Sequence, residues 1–160
     1  MSDRGPATAR DNPGVLVWPP VLCATTVALG ALVHLVFPVR LLPMLPARIA
    51  GAALALLAAG FAIWAGRMMH AAGTNVRPDQ PTTAIVARGP YRISRNPMYV
   101  SLCLLQVGIA LLIDGLAPLL FVVPLALTLH FGVIRREERY LAAKFGADYL
   151  AFKGRVRRWL

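Results

Sequence analysis

The chain has 160 residues, 58% of them hydrophobic, and carries 17 lysines and arginines against 7 acids, a formal charge of +10. Its apolar residues come in long runs rather than alternating stripes, which excludes an ordinary soluble domain of this length. The charge raises nucleic acid as a partner, but anionic headgroups and membrane topology account for it more economically, and no aromatic-interleaved binding module is present.

Residues 1–14 are polar, with Arg4, Arg10, Asp3 and Asp11, and read as a mobile tail without the apolar core of a signal peptide. A first span is expected over residues 15–37, long enough to cross about 30 Å of hydrocarbon, with Trp18 as an interfacial anchor. Pro19 and Pro20 fall near its start, where missing backbone donors cost least. A connector over residues 38–46 leads to a second span over residues 47–64, rich in alanine and glycine that permit close helix approach in a bilayer. A polar loop over residues 67–96 follows, holding Arg67, Arg77, Arg88, Arg92 and Arg95 against the single acid Asp79. Pro78 and Pro81 argue against a continuous helix through it. Residues 82–87 are short and apolar, consistent with an extended segment.

A third span is expected over residues 97–113 and a fourth over residues 116–134, with Asp114-Gly115 as the tight turn between them. A basic tail follows over residues 135–160. The loop and the tail are separated by a two-pass hairpin and so face the same side. The positive-inside rule makes that side cytoplasmic, and an even number of spans places the N-terminus there too. The expected architecture is an all-α, polytopic integral membrane protein with about four transmembrane helices and a cytoplasmic C-terminal helix. A bacterial inner (plasma) membrane is the expected location.

Two cysteines, Cys23 and Cys103, lie within spans and suit free thiols better than a disulfide framework. Three scattered histidines, His34, His70 and His130, argue against a metal site. No Gly-x-Gly-x-x-Gly, P-loop or His-Glu-x-x-His motif is present.

The stretch Gly89-Pro90-Tyr91-Arg92-Ile93-Ser94-Arg95-Asn96-Pro97-Met98-Tyr99 sits where the polar loop enters the third span. Gly89-Pro90 marks a turn. Asn96 followed by Pro97 reads as an N-cap and a first helical residue. Tyrosines and arginines here suit the headgroup layer as anchors, and they also suit a site. In the tail, a helical wheel at about 100° per residue places Ile134, Leu141, Phe145, Tyr149 and Phe152 on one apolar face, with Glu137 and Glu138 on or beside it. Carboxylates in that position need a cation or a donor. Pairing with Arg92 or Arg95 and contact with a cationic ligand both satisfy that need.

Gly89-x-Tyr91, Arg95-Asn96-Pro97-x-Tyr99, the helical hairpin, Glu137-Glu138 and Phe145-Gly146-x-x-Tyr149 together resemble the isoprenylcysteine carboxyl methyltransferase family. That family belongs to the wider set of membrane methyltransferases that includes phospholipid N-methyltransferases. The likeness runs from about Gly73 to the C-terminus. Asn96 stands where the family usually has histidine, and Val133 where it has a substrate-binding arginine, whose part would pass to Arg135 or Arg136. The resemblance implies S-adenosyl-L-methionine as cofactor, held by Tyr91, Asn96, Pro97, Met98, Tyr99 and Glu137, with Thr83, Ala84, Ile85 and Val86 alongside. It implies methyl transfer to a lipophilic small-molecule or lipidated acceptor, with His130, Arg135 and Arg136 as candidate substrate contacts. A phospholipid amine is the alternative acceptor. An NADPH-dependent enzyme of the sterol-reductase kind and a non-catalytic membrane protein stay open as rival readings. Oligomeric state is not legible.

Overall fold

The computed structural model describes residues 12–41 and 44–160, and among them all regular structure is helical. The tail expected over residues 1–14 therefore lies almost wholly outside the described residues. Helix α1 (Pro19–Val36) opens with Trp18 in extended conformation and Pro19 at its first position, where a proline's missing N–H is no loss. Helix α2 (Met44–Ala71) is 28 residues long and runs past Trp64, where the second span was expected to end. Between Trp64 and Ala71 only Gly66 weakens a helix, by about 1 kcal/mol, and Arg67 is a good helix former rather than a loop marker. The stop comes at Gly73, with φ of +67°. Its N–H donates to His70 O at 3.0 Å and that of Thr74 to Met69 O at 3.1 Å, the paired bonds of a left-handed C-cap. The connecting segment thus starts near residue 72 rather than 67.

Residues 82–87 pair with no strand. A 3-10 turn over Gly89–Arg92 ends the connecting segment and Pro97 opens α3 (Pro97–Leu112). The expected tight turn follows, with Asp114 at φ +51°. Its carboxylate accepts from the Leu41 N–H at 2.9 Å and ties the turn to the α1–α2 connector. The expected fourth span is segmented into α4 (Leu116–Leu120), α5 (Val122–Thr128), a π-helical stretch (Leu129–Ile134) and α6 (Arg135–Arg155). Pro118 lies in the first turn of α4, where a missing donor is tolerated, whereas the Pro124 ring crowds the carbonyl of Leu120 and breaks the helix at Phe121. Gly146, at φ +51° and ψ −123°, kinks α6. A single straight wheel for the tail therefore fails beyond Phe145.

Helices α2 and α3 touch backbone to backbone. A Cβ on Gly51 would sit 2.6 Å from Leu112 N, and one on Gly108 2.8 Å from Ala55 N, so only glycine permits this approach. Between α1, α3 and α4 the buried Gln106 accepts from Thr26 Oγ1 at 2.8 Å and donates to Pro118 O at 3.2 Å. That satisfies a polar amide inside an apolar bundle. Cys23, Leu125, Leu129 and Val133 form the core, with Tyr99, Leu102 and Trp159 packed on it. By contrast, Leu32, Leu56, Leu57, Ile63, Val123 and Leu127 are exposed, as a bilayer-facing surface requires.

Among the described residues, three helical stretches are long and apolar enough to cross a membrane: Pro19–Val36, Leu45–Ala71 and Leu116–Arg155. In the last, the apolar part ends at Ile134, because Arg135, Arg136, Glu137, Glu138 and Arg139 follow without interruption. Helix α3 is apolar but has 16 residues, about 24 Å at 1.5 Å per residue, short of about 30 Å of hydrocarbon.

Candidate functional site

The end of α2, the connecting segment, the start of α3 and the charged part of α6 enclose a cleft of about 850 Å³, counting its open mouth. Gly89 fixes one wall. Its φ is +56°, and a Cβ there would meet Met68 Cγ at 2.9 Å and Trp64 Nε1 at 3.1 Å. The chain thereby turns tightly against α2 and buries Pro90 and Tyr91. From there Ser94 N–H donates to Pro90 O at 3.1 Å, and Pro97 starts α3 so that Tyr99 lies in its first turn.

The cleft's central contact joins α3 to α6: Tyr99 Oη donates to Glu137 Oε1 at 2.6 Å. Glu137 is half-buried on the first turn of α6, beyond the apolar part of its helix. Burial pushes its carboxyl up to about 7; the Tyr99 hydrogen bond opposes this and the neighbouring Glu138 charge adds to it. Burial and the Glu137 charge also push the Tyr91 phenol upward. Near neutral pH the cleft therefore holds a carboxyl poised between its charged and neutral forms.

Glu138 is engaged differently. Arg158 grips it with two bonds, Nε to Oε1 and Nη2 to Oε2, both 2.8 Å, while Arg95 Nη1 stands 3.3 Å from Oε1. Burial works to raise this carboxyl, but the Arg158 hydrogen bonds and the Arg95 charge outweigh it and hold it below the usual range. Of the two arginines expected to meet the glutamates, Arg95 does so.

Of the residues that the resemblance assigned to the cofactor, Tyr91, Asn96, Pro97, Met98, Tyr99, Glu137, Ala84, Ile85 and Val86 line this one cleft. Thr83 does not. Its hydroxyl donates to Gly73 O at 2.7 Å and its N–H to Thr74 Oγ1 at 3.0 Å, so it staples the connecting segment to the end of α2. Asn96 precedes α3 but its side chain does not cap it. Its Nδ2 donates instead to Arg158 O at 2.8 Å.

The candidate substrate contacts lie elsewhere. His130 is the ring partner of Trp159, whose Nε1 donates to Nδ1 at 3.3 Å. Arg135 lies over the Phe131 ring at 5.7 Å, and Arg136 Nη1 donates to Gly14 O at 3.2 Å. Sequence reasoning passed over the strap formed by Arg157, Arg158 and Trp159. Arg95 N–H donates to Arg157 O at 2.9 Å, and both Ser94 Oγ and Asn96 Nδ2 donate to Arg158 O. These are backbone acceptors, which no residue pattern announces.

A sequence profile of the phospholipid methyltransferase family matches residues 46–148, well over half of the chain, and so includes nearly all of α2, the connecting segment, α3 and Glu137. The chain belongs to that family. It is also 40% identical over 63 residues to an uncharacterized protein of Haemophilus influenzae, a match covering 39% of this chain and the whole of the relative. Phospholipid methyltransferases are membrane methyltransferases, related to the isoprenylcysteine carboxyl methyltransferases that the motifs resemble. The match and the spans together make this a membrane protein of a methyltransferase family.

Proposed function

We propose that the protein transfers a methyl group from S-adenosylmethionine to a lipophilic acceptor at the membrane surface. The carrying observation is the Tyr99–Glu137 contact inside a cleft lined by nearly all the residues that the family motifs assign to the cofactor. The donor set suits that ligand. Glu137 offers an acceptor for an ammonium group, Tyr91 and Phe152 offer ring surface, and Ala84, Ile85 and Val86 offer apolar contact for an adenine. When bound, S-adenosylmethionine supplies an electrophilic methyl on sulfur. The chain's part is to align the acceptor in line with it and to keep water out.

Arg95 and Arg157 are joined backbone to backbone, so the arginine-rich segment and the tail meet at one end of the bundle. We count α3 and the stretch from α4 to the π-helical turn as a two-pass hairpin, which makes four spans, and the concentration of arginines at this end supports a cytoplasmic side in a bacterial inner membrane.

The arrangement favours a lipid amine over an isoprenylcysteine carboxylate as acceptor. Val133 is fully buried in the core, and Arg135 and Arg136, which would replace the missing substrate arginine, are engaged with Phe131 and the Gly14 carbonyl and do not line the cleft. The test is transfer of radiolabelled methyl from S-adenosylmethionine into lipid extract by purified protein in phospholipid vesicles. Label stable to alkali marks an amine acceptor. Label released by alkali as methanol marks a carboxyl ester and would return the chain to the isoprenylcysteine type. No transfer to either would count against turnover.

A further inference from the structure

Arg95 has no assigned part in the cleft, yet its situation calls for a ligand. The side chain borders the cleft and is only 8% exposed. Its Nε and Nη1 are buried with no hydrogen-bond acceptor, since Nη1 stands near Glu138 Oε1 without the alignment of a bond. Glu138 does not neutralise it fully, because Arg158 already occupies both carboxylate oxygens at 2.8 Å. The adjacent Tyr149 hydroxyl is a hydrogen-bond partner of Arg95 but carries no charge to offset it. Two guanidiniums thus share one carboxylate, and the surplus positive charge rests on the more buried of them. A buried guanidinium with idle donors is costly unless an anion meets it.

The opposite charge stands in the same cleft. Glu137 has one oxygen on Tyr99 and faces the same space. One cleft thus presents a carboxylate for a cation and a buried guanidinium for an anion, on neighbouring elements: the residue before Asn96 and the first turn of α6. We propose that Arg95 and Glu137 form a subsite for a zwitterion, Arg95 taking the anionic oxygens and Glu137 the ammonium. Two sources in the reaction carry that chemistry, the amino-acid end of the cofactor and a phosphoethanolamine headgroup. This inference rests on the methyltransferase reading and adds to it a residue and a charge pattern.

The test is a comparison of ligands and variants by equilibrium binding to the full chain in detergent. S-adenosylhomocysteine carries both charges, and its decarboxylated analogue keeps the amine alone. Wild-type protein should prefer the former by about ten- to a hundredfold, the worth of a charge-assisted hydrogen bond. In Arg95→Lys, which keeps a cation beside Glu138 but loses the guanidinium's additional N–H donors, that preference should collapse. Affinity for the decarboxylated analogue should stay the same, which also shows that the variant is folded. Arg95→Gln should behave alike. If the headgroup is the source, Arg95→Lys should leave the preference intact and instead lose binding of glycerophosphoethanolamine.

Equal loss for every ligand in both variants would make Arg95 structural and overturn the subsite, as would no change for any. A wild type that binds both adenosyl ligands equally and ignores glycerophosphoethanolamine would refute the subsite alone. A wild type that binds no adenosyl ligand would refute the methyltransferase reading beneath it.

Discussion

Glu137→Gln is the sharpest perturbation the cleft offers. Glutamine is nearly isosteric and still accepts the Tyr99 hydrogen bond, seen at 2.6 Å, so the junction of α3 and α6 should survive. What it removes is the charge. A hydrogen bond to a charged group in such a setting is worth about 1.5–3 kcal/mol, so affinity for S-adenosylhomocysteine should fall roughly ten- to a hundredfold. The raised carboxyl adds a signature that a structural glutamate lacks. With its value near 7, about ten-elevenths of the wild-type protein is ionised at pH 8 and about one-eleventh at pH 6. If only the ionised form takes the ammonium, wild-type affinity should be about tenfold weaker at pH 6 than at pH 8. Glu137→Gln should show no such dependence.

Stability should move the other way. The folded carboxyl holds its proton up to about pH 7 and the unfolded one only to the usual 4.5. Its stabilising contribution is therefore complete below pH 4.5 and is lost as pH rises through 7. Ligand-free Glu137→Gln should consequently gain thermal stability relative to wild type at pH 8, and not at pH 4. Calorimetric titration at several pH values, with thermal unfolding on the same samples, reads both effects. A folded variant with wild-type affinity and an unchanged pH profile would refute the reasoning.

Arg158→Ala removes both bonds to Glu138 and leaves Arg95 as its partner, which should cost about 1.5–3 kcal/mol and lower the thermal midpoint in detergent. Arg158→Lys should recover part of the loss, and a midpoint unchanged in both would show that the strap carries no stability. For topology, cysteines placed at the exposed positions Ala87 and Gly154 should react only with reagent admitted to the cytoplasm, and one at the exposed Ile113 only with reagent outside. Labelling of Ala87 and Gly154 from opposite sides would break the four-span arrangement.

Much of the cleft was legible because its residues obey local rules. Gly89 is needed where φ is positive and Met68 is close, Pro97 starts a helix wherever it stands outside one, and Asp114-Gly115 turns a hairpin. The paired glutamates announced themselves as charges on an apolar face, and their division of labour followed from which cations lie near.

What escaped notice depended on contacts between distant parts of the chain. Arg158 reaches Glu138 only because Gly146 bends α6 and the chain after Arg155 runs back along residues 94–96, and a straight wheel cannot show that. Asn96 was expected to cap α3, but the Arg158 carbonyl is the partner its side chain meets. The extension of α2 to Ala71 was hidden because charge at Arg67 resembles a boundary, while the true stop, Gly73, lies further on. The breaks at Phe121 and Leu129 interrupt what hydropathy alone reads as one uniform span.

The central claim is that this cleft takes the methyltransferase cofactor. It is tested most directly by following thermal unfolding of the purified full chain in detergent while S-adenosylhomocysteine or NADPH is added. A ligand that binds only the folded state raises the midpoint with its concentration, by about 2.7 kcal/mol of stability at a hundredfold excess over its dissociation constant. The account predicts a saturable rise with S-adenosylhomocysteine and none with NADPH. A rise with NADPH and none with S-adenosylhomocysteine would contradict it and place the chain's chemistry with the membrane reductases.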